Sequence, residues 1–357
     1  MPFGITSYRE DGERSGEVGS GSTVKTLVRT EVHNARGRVG WKPLGWQGVT
    51  MQVPPAWNLV GYGGDTRAGS LRLDNGEFQT HGVLGVDVRW FPVKGRITDA
   101  ELEKRLAQYL ASIEKGARRQ NVAAQTRVKE AADARRPERA GMRSFSWKAD
   151  RKAVGRIWHC QECARVVIAQ VVGGAGDDFG GLAADALATL ECHPADPEWR
   201  VWSLYDLHTQ MPADYALSAK PQLMNIYVRL PFVRGNSLDT VTVEQWSVAS
   251  VQLRGAYLDQ WFRQKNGAME GQLRYDAREL TAQGHAALAL TGRRTGLSYW
   301  AGQALPQVTR LQKPATFFEA RIWECPESNK IHLVQSLSRR PQPDLVDEIV
   351  ERTLCHA

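Results

Sequence analysis

Val49, Met51 and Val53 alternate with Thr50 and Gln52, the period-two rhythm of a half-buried strand. Tyr205, Leu207, Thr209 and Met211 repeat it later in the chain, and each run stops at a proline, Pro54 or Pro212. Proline cannot donate to a strand ladder. Further strands are expected around 69–74 and 84–91, and again around 223–232 and 240–248, separated by glycine- or asparagine-bearing turns. A helix follows each set. In the first, Asp99 is the expected N-cap, and Leu102, Leu106, Tyr109, Leu110 and Ile113 recur at three and four residues. In the second, Val251, Tyr257, Leu258, Trp261 and Phe262 take that part. The charged, Arg- and Ala-rich stretch over about 115–139 reads as a helical extension ending near Pro137, whereas the later copy has segments around 271–276 and 284–291 and then a loop to about 314. Hairpins are expected over 153–160 with 164–172 and over 317–325 with 329–336. Closing helices follow Asp177-Asp178 and Pro343-Asp344, residues that suit a first helical turn.

This order occurs twice with matching words. Pro54-Pro55-Ala56-Trp57 corresponds to Pro212-Ala213-Asp214-Tyr215, and Leu71-Arg72-Leu73 to Val228-Arg229-Leu230. Trp90 corresponds to Trp246, and Arg156-Ile157-Trp158-His159-Cys160 to Arg321-Ile322-Trp323-Glu324-Cys325. Both copies close on Leu-x-Cys-His or its near twin, ending at Cys192-His193 and Cys355-His356. The spacings stay between 156 and 165 residues, so the chain reads as a tandem duplication. The expected layout is a loose arm over 1–40, a first module over 41–195 and a second over 196–357. The expected class is α+β: two mostly antiparallel sheets, each covered by helices in an αβα sandwich.

A strand running into a Pro-x-x-aromatic word resembles the Mog1/PsbP-like α/β family. Here the words are Pro54-Pro55-Ala56-Trp57 and Pro212-Ala213-Asp214-Tyr215. The resemblance implies helices packed on an antiparallel sheet, and a largely non-enzymatic family that binds small GTPases or photosystem components. It carries no functional residue onto this chain.

Composition adds few constraints. The 357 residues are 42% hydrophobic and 24% charged, ordinary for a globular chain that can bury a core in each half. No apolar run is long enough for a membrane helix, and the N-terminal sequence lacks an apolar export core, so a cytoplasmic protein is expected. The net charge of +7 permits contact with anionic surfaces. The basic stretch from Lys104 to Arg139 is interrupted by Glu101, Glu103, Glu114, Glu130, Asp133 and Glu138, and has no aromatic interleaving. That counts against nucleic acid as a partner. The chain's twelve tryptophans fit core, inter-module packing or a protein-binding surface.

The cysteines carry the sharpest chemistry. Cys160-Gln161-Glu162-Cys163 places two thiols at a hairpin turn, and Cys192-His193 ends the closing helix. Brought together, Cys160, Cys163, Cys192 and His193 would form a tetrahedral zinc set. The other copy keeps Cys325, Cys355 and His356 but has Ser328 where Cys163 would fall. Small apolar thiols buried where helix meets sheet also account for what both copies share, and a redox pair is a third reading. On these counts no cofactor is expected, with zinc as the alternative. Arg156 with Trp158, and Arg321 with Trp323, share strand faces and form a candidate anion pocket. The Gly-rich words Gly61-Tyr62-Gly63-Gly64-Asp65 and Gly173-Gly174-Ala175-Gly176-Asp177 fit no phosphate loop. The expected function is a non-enzymatic binding or adaptor protein whose partner is another protein. The alternatives are a zinc-binding protein and a hydrolase-like enzyme using a cleft between modules.

Overall fold

Hairpins, not helices, dominate the architecture. The computed structural model describes residues 26–27, 39–76, 84–131, 139–224, 226–266, 273–295 and 315–356. Nearly all of the expected arm over 1–40, the stretch around Pro137 and the loop leading to 314 lie outside the described residues. The first half contains β1 (Thr26–Leu27), β2 (Lys42–Trp46), β3 (Val49–Val53), β4 (Asn58–Gly64), β5 (Gly69–Asp74), β6 (Gly85–Pro92), α1 (Asp99–Arg119), β7 (Gln125–Glu130), β8 (Arg139–Lys148), β9 (Arg151–Cys160), β10 (Arg165–Gly174) and α2 (Gly180–Ala188). The second contains β11 (Trp199–Leu204), β12 (Leu207–Pro212), β13 (Tyr215–Leu217), β14 (Gln222–Met224), β15 (Tyr227–Arg234), β16 (Thr240–Ser247), α3 (Ala249–Leu253), α4 (Leu258–Lys265), β17 (Leu273–Ala282), β18 (His285–Arg294), β19 (Phe317–Cys325), β20 (Lys330–Ser338) and α5 (Pro343–Glu351).

The strands form three sheets. One runs β4-β5-β6-β10-β9-β8-β7, and a second runs β13-β15-β16-β20-β19-β18-β17-β1, with β14 beside β15. Their strand orders correspond position by position. The third sheet, β12-β11-β2-β3, takes one hairpin from each half, joined where Ser203 pairs with Gly45. A side chain at Gly45 would place its Cβ 2.8 Å from the Val201 carbonyl oxygen, so glycine is what lets the hairpins meet. Pairing is antiparallel throughout, save for β1, which lies parallel to β17.

The expectation of an α+β, Mog1/PsbP-like αβα sandwich is overturned. Strand makes up 51% and helix 19% of the described residues, in three sheets with five helices. The inner faces of both large sheets are buried under the hairpin sheet together with the closing helices α2 and α5, not under a helical layer alone. One core joins Trp46, Val49 and Met51 to Trp90 and Trp158, and also Trp202, Leu207 and Met211 to Phe232 and Trp323. Helix α1 packs outside, through Leu102, Leu106 and Leu110 on Phe145 and Ile157. Helix α4 does the same through Trp261 and Phe262 on Phe318 and Ile322. Thr98, not Asp99, caps α1, in a reciprocal capping box with Glu101. The expected helical extension instead ends at Arg119, and residues 125–130 form β7, an edge strand. The closing helix α2 stops at Ala188, leaving Cys192 and His193 in a bend beyond it.

Candidate metal centre

Separate pieces of chain converge at the turn end of hairpin β9–β10. Cys160 is the last residue of β9, and Cys163 lies in the turn to β10. Ala164 closes that turn at φ 48°, in the left-handed region, and its carbonyl accepts the Val93 N–H at 2.8 Å. The segment after α2 supplies Cys192 and His193. It is held by a two-way backbone pair between Glu191 and Thr50 of β3, at 3.0 and 2.8 Å, and by Gln52 N–H donating to Thr189 Oγ1 at 2.9 Å. Arg165 Nη1 donates to the Cys192 carbonyl at 3.0 Å. The buried Arg139 guanidinium donates to the Leu190 carbonyl and lies 3.3 Å from Glu191 Oε2, stacked over Trp158.

The ligand atoms of Cys160, Cys163, Cys192 and His193 all lie within 4.8 Å of one another. The measured edges are Cys163 Sγ to Cys192 Sγ 3.8 Å, Cys160 Sγ to His193 Nδ1 3.5 Å and Cys192 Sγ to His193 Nδ1 3.6 Å. A zinc tetrahedron with Zn–S of about 2.3 Å and Zn–N of about 2.0–2.1 Å has S–S edges of about 3.8 Å and S–N edges of about 3.5 Å. A disulfide would bring two sulfurs to about 2.05 Å. His193 turns its other nitrogen, Nε2, to Glu162 Oε2 at 2.9 Å. A carboxylate in that place fixes the ring and its tautomer. Hydrogen bonds from Cys163 and Cys192 hold the Cys160 thiol far below the ordinary thiol range. The hydrogen bond to Cys160 pushes Cys163 up to about 11, and Cys192 is raised too, with burial adding to both. Three sulfurs therefore share protons around one thiolate, and a divalent cation is what would let all of them ionise.

At the matching place in the second half, Cys325, Cys355 and His356 gather with His285 into a group of the same extent. Both Cys/His groups could hold a metal ion. Sequence reasoning assembled the first set but missed the partner of the second, because His285 stands 40 residues before Cys325 with no spacing motif to mark it. It also missed Glu162, whose place between the two thiols of the turn was the available signal.

Three of the four residues of the candidate anion pocket are buried. Trp158 and Trp323 are core residues. Arg321 is buried, and its guanidinium is taken by Asp347 Oδ1 at 2.7 Å and Glu319 Oε2 at 3.6 Å. Arg156 is half-buried on β9. None of the four lines the cleft between the halves, a space of about 660 Å3 bordered by Gln47, Tyr62, Asp65, Trp202 and Lys220 among others. Asp65 is spent there as a turn acceptor for the Arg67 and Ala68 amides. No imidazole or thiol lies among the lining residues.

No family model and no curated protein matches the sequence. Among solved structures, the apo structure of the immunity protein TplEi of T6SS from Pseudomonas aeruginosa is similar at a TM-score of 0.30 and 8% identity, over 88% of this chain and 97% of that one. At that score the likeness carries no argument about fold or role. No helix among the described residues is long and apolar enough to cross a membrane.

Proposed function

We propose that this chain is a zinc-binding protein in which Cys160, Cys163, Cys192 and His193 hold a structural ion. The carrying observation is the match between the group's measured edges, 3.5 to 3.8 Å, and those of a zinc tetrahedron. All four positions go to protein atoms, the arrangement of structural rather than catalytic zinc. The ion would staple the segment after α2 to hairpin β9–β10. The equivalent strand orders of the large sheets support reading the chain as a tandem duplication, with modules at 41–195 and 196–357. Metal analysis of the purified full chain tests the reading. Wild type should retain zinc, Cys163→Ser/Cys192→Ser should lose one equivalent, and chelator should lower the Tm. Retention of the same zinc by that variant would overturn it.

A second reading, that the chain acts by binding another protein, is favoured by one surface. Val248 is β-branched yet sits at φ 60° and is exposed, as are Val251, whose N–H donates to the Val248 carbonyl, and Ile226, whose carbonyl accepts the adjacent Ser247 N–H; Met224 and Tyr257 are exposed too. Strain and exposed apolar side chains together mark an interaction surface. Capture from host extract with wild type and Val251→Glu separates the outcomes: a species kept by the first and lost by the second is expected, and identical capture by both counts against it.

A further inference from the structure

We propose that the second half binds a zinc ion of its own through His285, Cys325, Cys355 and His356, with one ligand supplied from the neighbouring strand where the first half uses the hairpin turn. The claim concerns separate residues and goes beyond the first-half site, although it rests on the same reading of the fold as metal-stapled.

Without structure, Ser328 argues against this site. The turn Cys325-Pro326-Glu327-Ser328-Asn329 repeats the turn Cys160-Gln161-Glu162-Cys163-Ala164 residue for residue. Asn329 closes it at φ 52°, as Ala164 does at 48°, and its carbonyl accepts the Ala249 amide at 2.9 Å. Ser328 therefore stands in the place of Cys163. Its hydroxyl is buried without a hydrogen-bond partner, and a neutral hydroxyl is a poor zinc ligand beside thiolate and imidazole. The turn has lost its second donor.

The neighbouring strand replaces it. In the first half, Arg139 of β8 pairs directly with Cys160 of β9. In the second half, β18 pairs with β19 so that Ala287 faces Trp323. Two residues further along that antiparallel register, His285 comes opposite Cys325. His285 thus occupies the strand position of Arg139. Its Nε2 is buried and makes no hydrogen bond, with the Glu327 carboxylate 3.6 Å away, so a ligand there would satisfy a buried polar atom. The remaining donors arrive as in the first half. Leu354 N–H bonds to the His208 carbonyl of β12 at 2.9 Å, and the hydroxyls of Thr209 and Thr353 meet at 2.8 Å. This fixes the segment that carries Cys355 and His356. His356 Nδ1 lies 3.3 Å from Cys325 Sγ and 3.2 Å from Cys355 Sγ, within a few tenths of an ångström of the roughly 3.5 Å S–N edge of a zinc tetrahedron.

The two sites differ in charge. Binding displaces thiol protons to solvent, so three thiolates and one imidazole leave the first site at net −1, and two thiolates and two imidazoles leave the second neutral. His356 is also exposed. The second ion is therefore the weaker and faster-exchanging of the two.

Zinc titration against a chromophoric chelator, with cobalt(II) substitution, on the full-length protein under reducing conditions tests this. Two equivalents are expected, released in two phases. Cys163→Ser/Cys192→Ser should remove the tighter one and leave a cobalt complex with a two-thiolate charge-transfer band. His285→Ala should remove the weaker one, and His285→Ala/Ser328→Cys should restore it, with the band strengthened in the ratio of three thiolates to two. If His285→Ala fails to fold, the cobalt spectrum of Cys163→Ser/Cys192→Ser decides: a two-thiolate complex supports the site, and no complex overturns it. A single equivalent lost in Cys163→Ser/Cys192→Ser and untouched by His285→Ala overturns the second site alone. No bound zinc at all overturns both sites, and a Cys325–Cys355 disulfide in the zinc-treated protein overturns the second.

Discussion

Truncating Arg321 to methionine should destabilise the protein far more than truncating Arg234, although the two arginines make ion pairs of nearly equal length. Arg321 Nε lies 2.7 Å from Asp347 Oδ1, and Arg234 Nε lies 2.6 Å from Asp214 Oδ2. Burial separates them. The Arg321 and Asp347 side chains are 5% and 6% exposed, whereas those of Arg234 and Asp214 are 49% and 50% exposed. Arg321 also faces Glu319, itself 3% exposed and hydrogen-bonded by Thr291. Removing the guanidinium leaves two carboxylates in the interior without their cation, which costs about 3–5 kcal/mol. The Arg234 pair is solvated and contributes about 0–1 kcal/mol. Urea unfolding of both variants, followed by tryptophan fluorescence, measures the difference. Arg321→Met/Asp347→Leu should recover much of the loss, since an apolar pair of similar volume replaces a buried ion pair at little cost. Equal destabilisation by Arg321→Met and Arg234→Met, each under about 1 kcal/mol, would refute the reasoning. Because Asp347 belongs to α5, the same pair holds the helix that leads into Cys355 and His356.

Glu162→Gln should weaken zinc binding in the first half by about 10–100-fold, since the carboxylate that orients His193 is lost while all four ligands remain; chelator competition reads it, and unchanged affinity would count against the assignment. Gly45→Ala should cost about 1–3 kcal/mol, because its Cβ meets the Val201 backbone where the two halves share a sheet; thermal unfolding measures it. Burial raises the Glu244 carboxyl above its ordinary value of 4.5, with Arg229 opposing. The folded state holds that proton to higher pH than the unfolded chain, so this residue's contribution is most favourable below 4.5 and is lost as pH rises through the raised folded value. Glu244→Gln, which keeps an acceptor for the Trp246 N–H, should therefore gain stability relative to wild type as pH rises from acid to neutral.

Residues whose burial alternates were legible from sequence. Val49, Met51 and Val53 lie where the period-two pattern put them, and the strands of both Cys-bearing hairpins fall close to their expected bounds although they are buried on both faces for much of their length. Residues at an edge were not. Gln125–Glu130 carries no apolar face because β7 pairs on one side only and is mostly exposed, so its charges read as helix. The hairpin sheet was half-missed for the opposite reason. Lys42–Trp46 and Trp199–Leu204 bury their apolar residues against strands of the other half, and no local rhythm encodes a partner about 160 residues away. Counting helices then supplied the wrong covering layer.

The Cys/His groups follow the same logic. A ligand given by a turn is readable because its spacing is local, and Cys160-Gln161-Glu162-Cys163 was read. A candidate ligand given by strand register is not, and the site proposed for the second half includes one: His285 reaches Cys325 only through the pairing of β18 with β19. The absence of a thiol at Ser328 therefore said nothing about how many donors surround Cys325. The conserved quantity in the repeat is the meeting of three chain segments at one end of the hairpin, and any of the three can supply the fourth donor. In the first half the strand position is free to carry Arg139 instead, whose guanidinium ties down the Leu190 carbonyl. A fold that gathers a turn, a neighbouring strand end and a pinned closing segment at one end of a hairpin can thus exchange candidate ligands between segments while each group's four ligand atoms stay within 4.8 Å of one another, which is why topology as well as motif points to such a group.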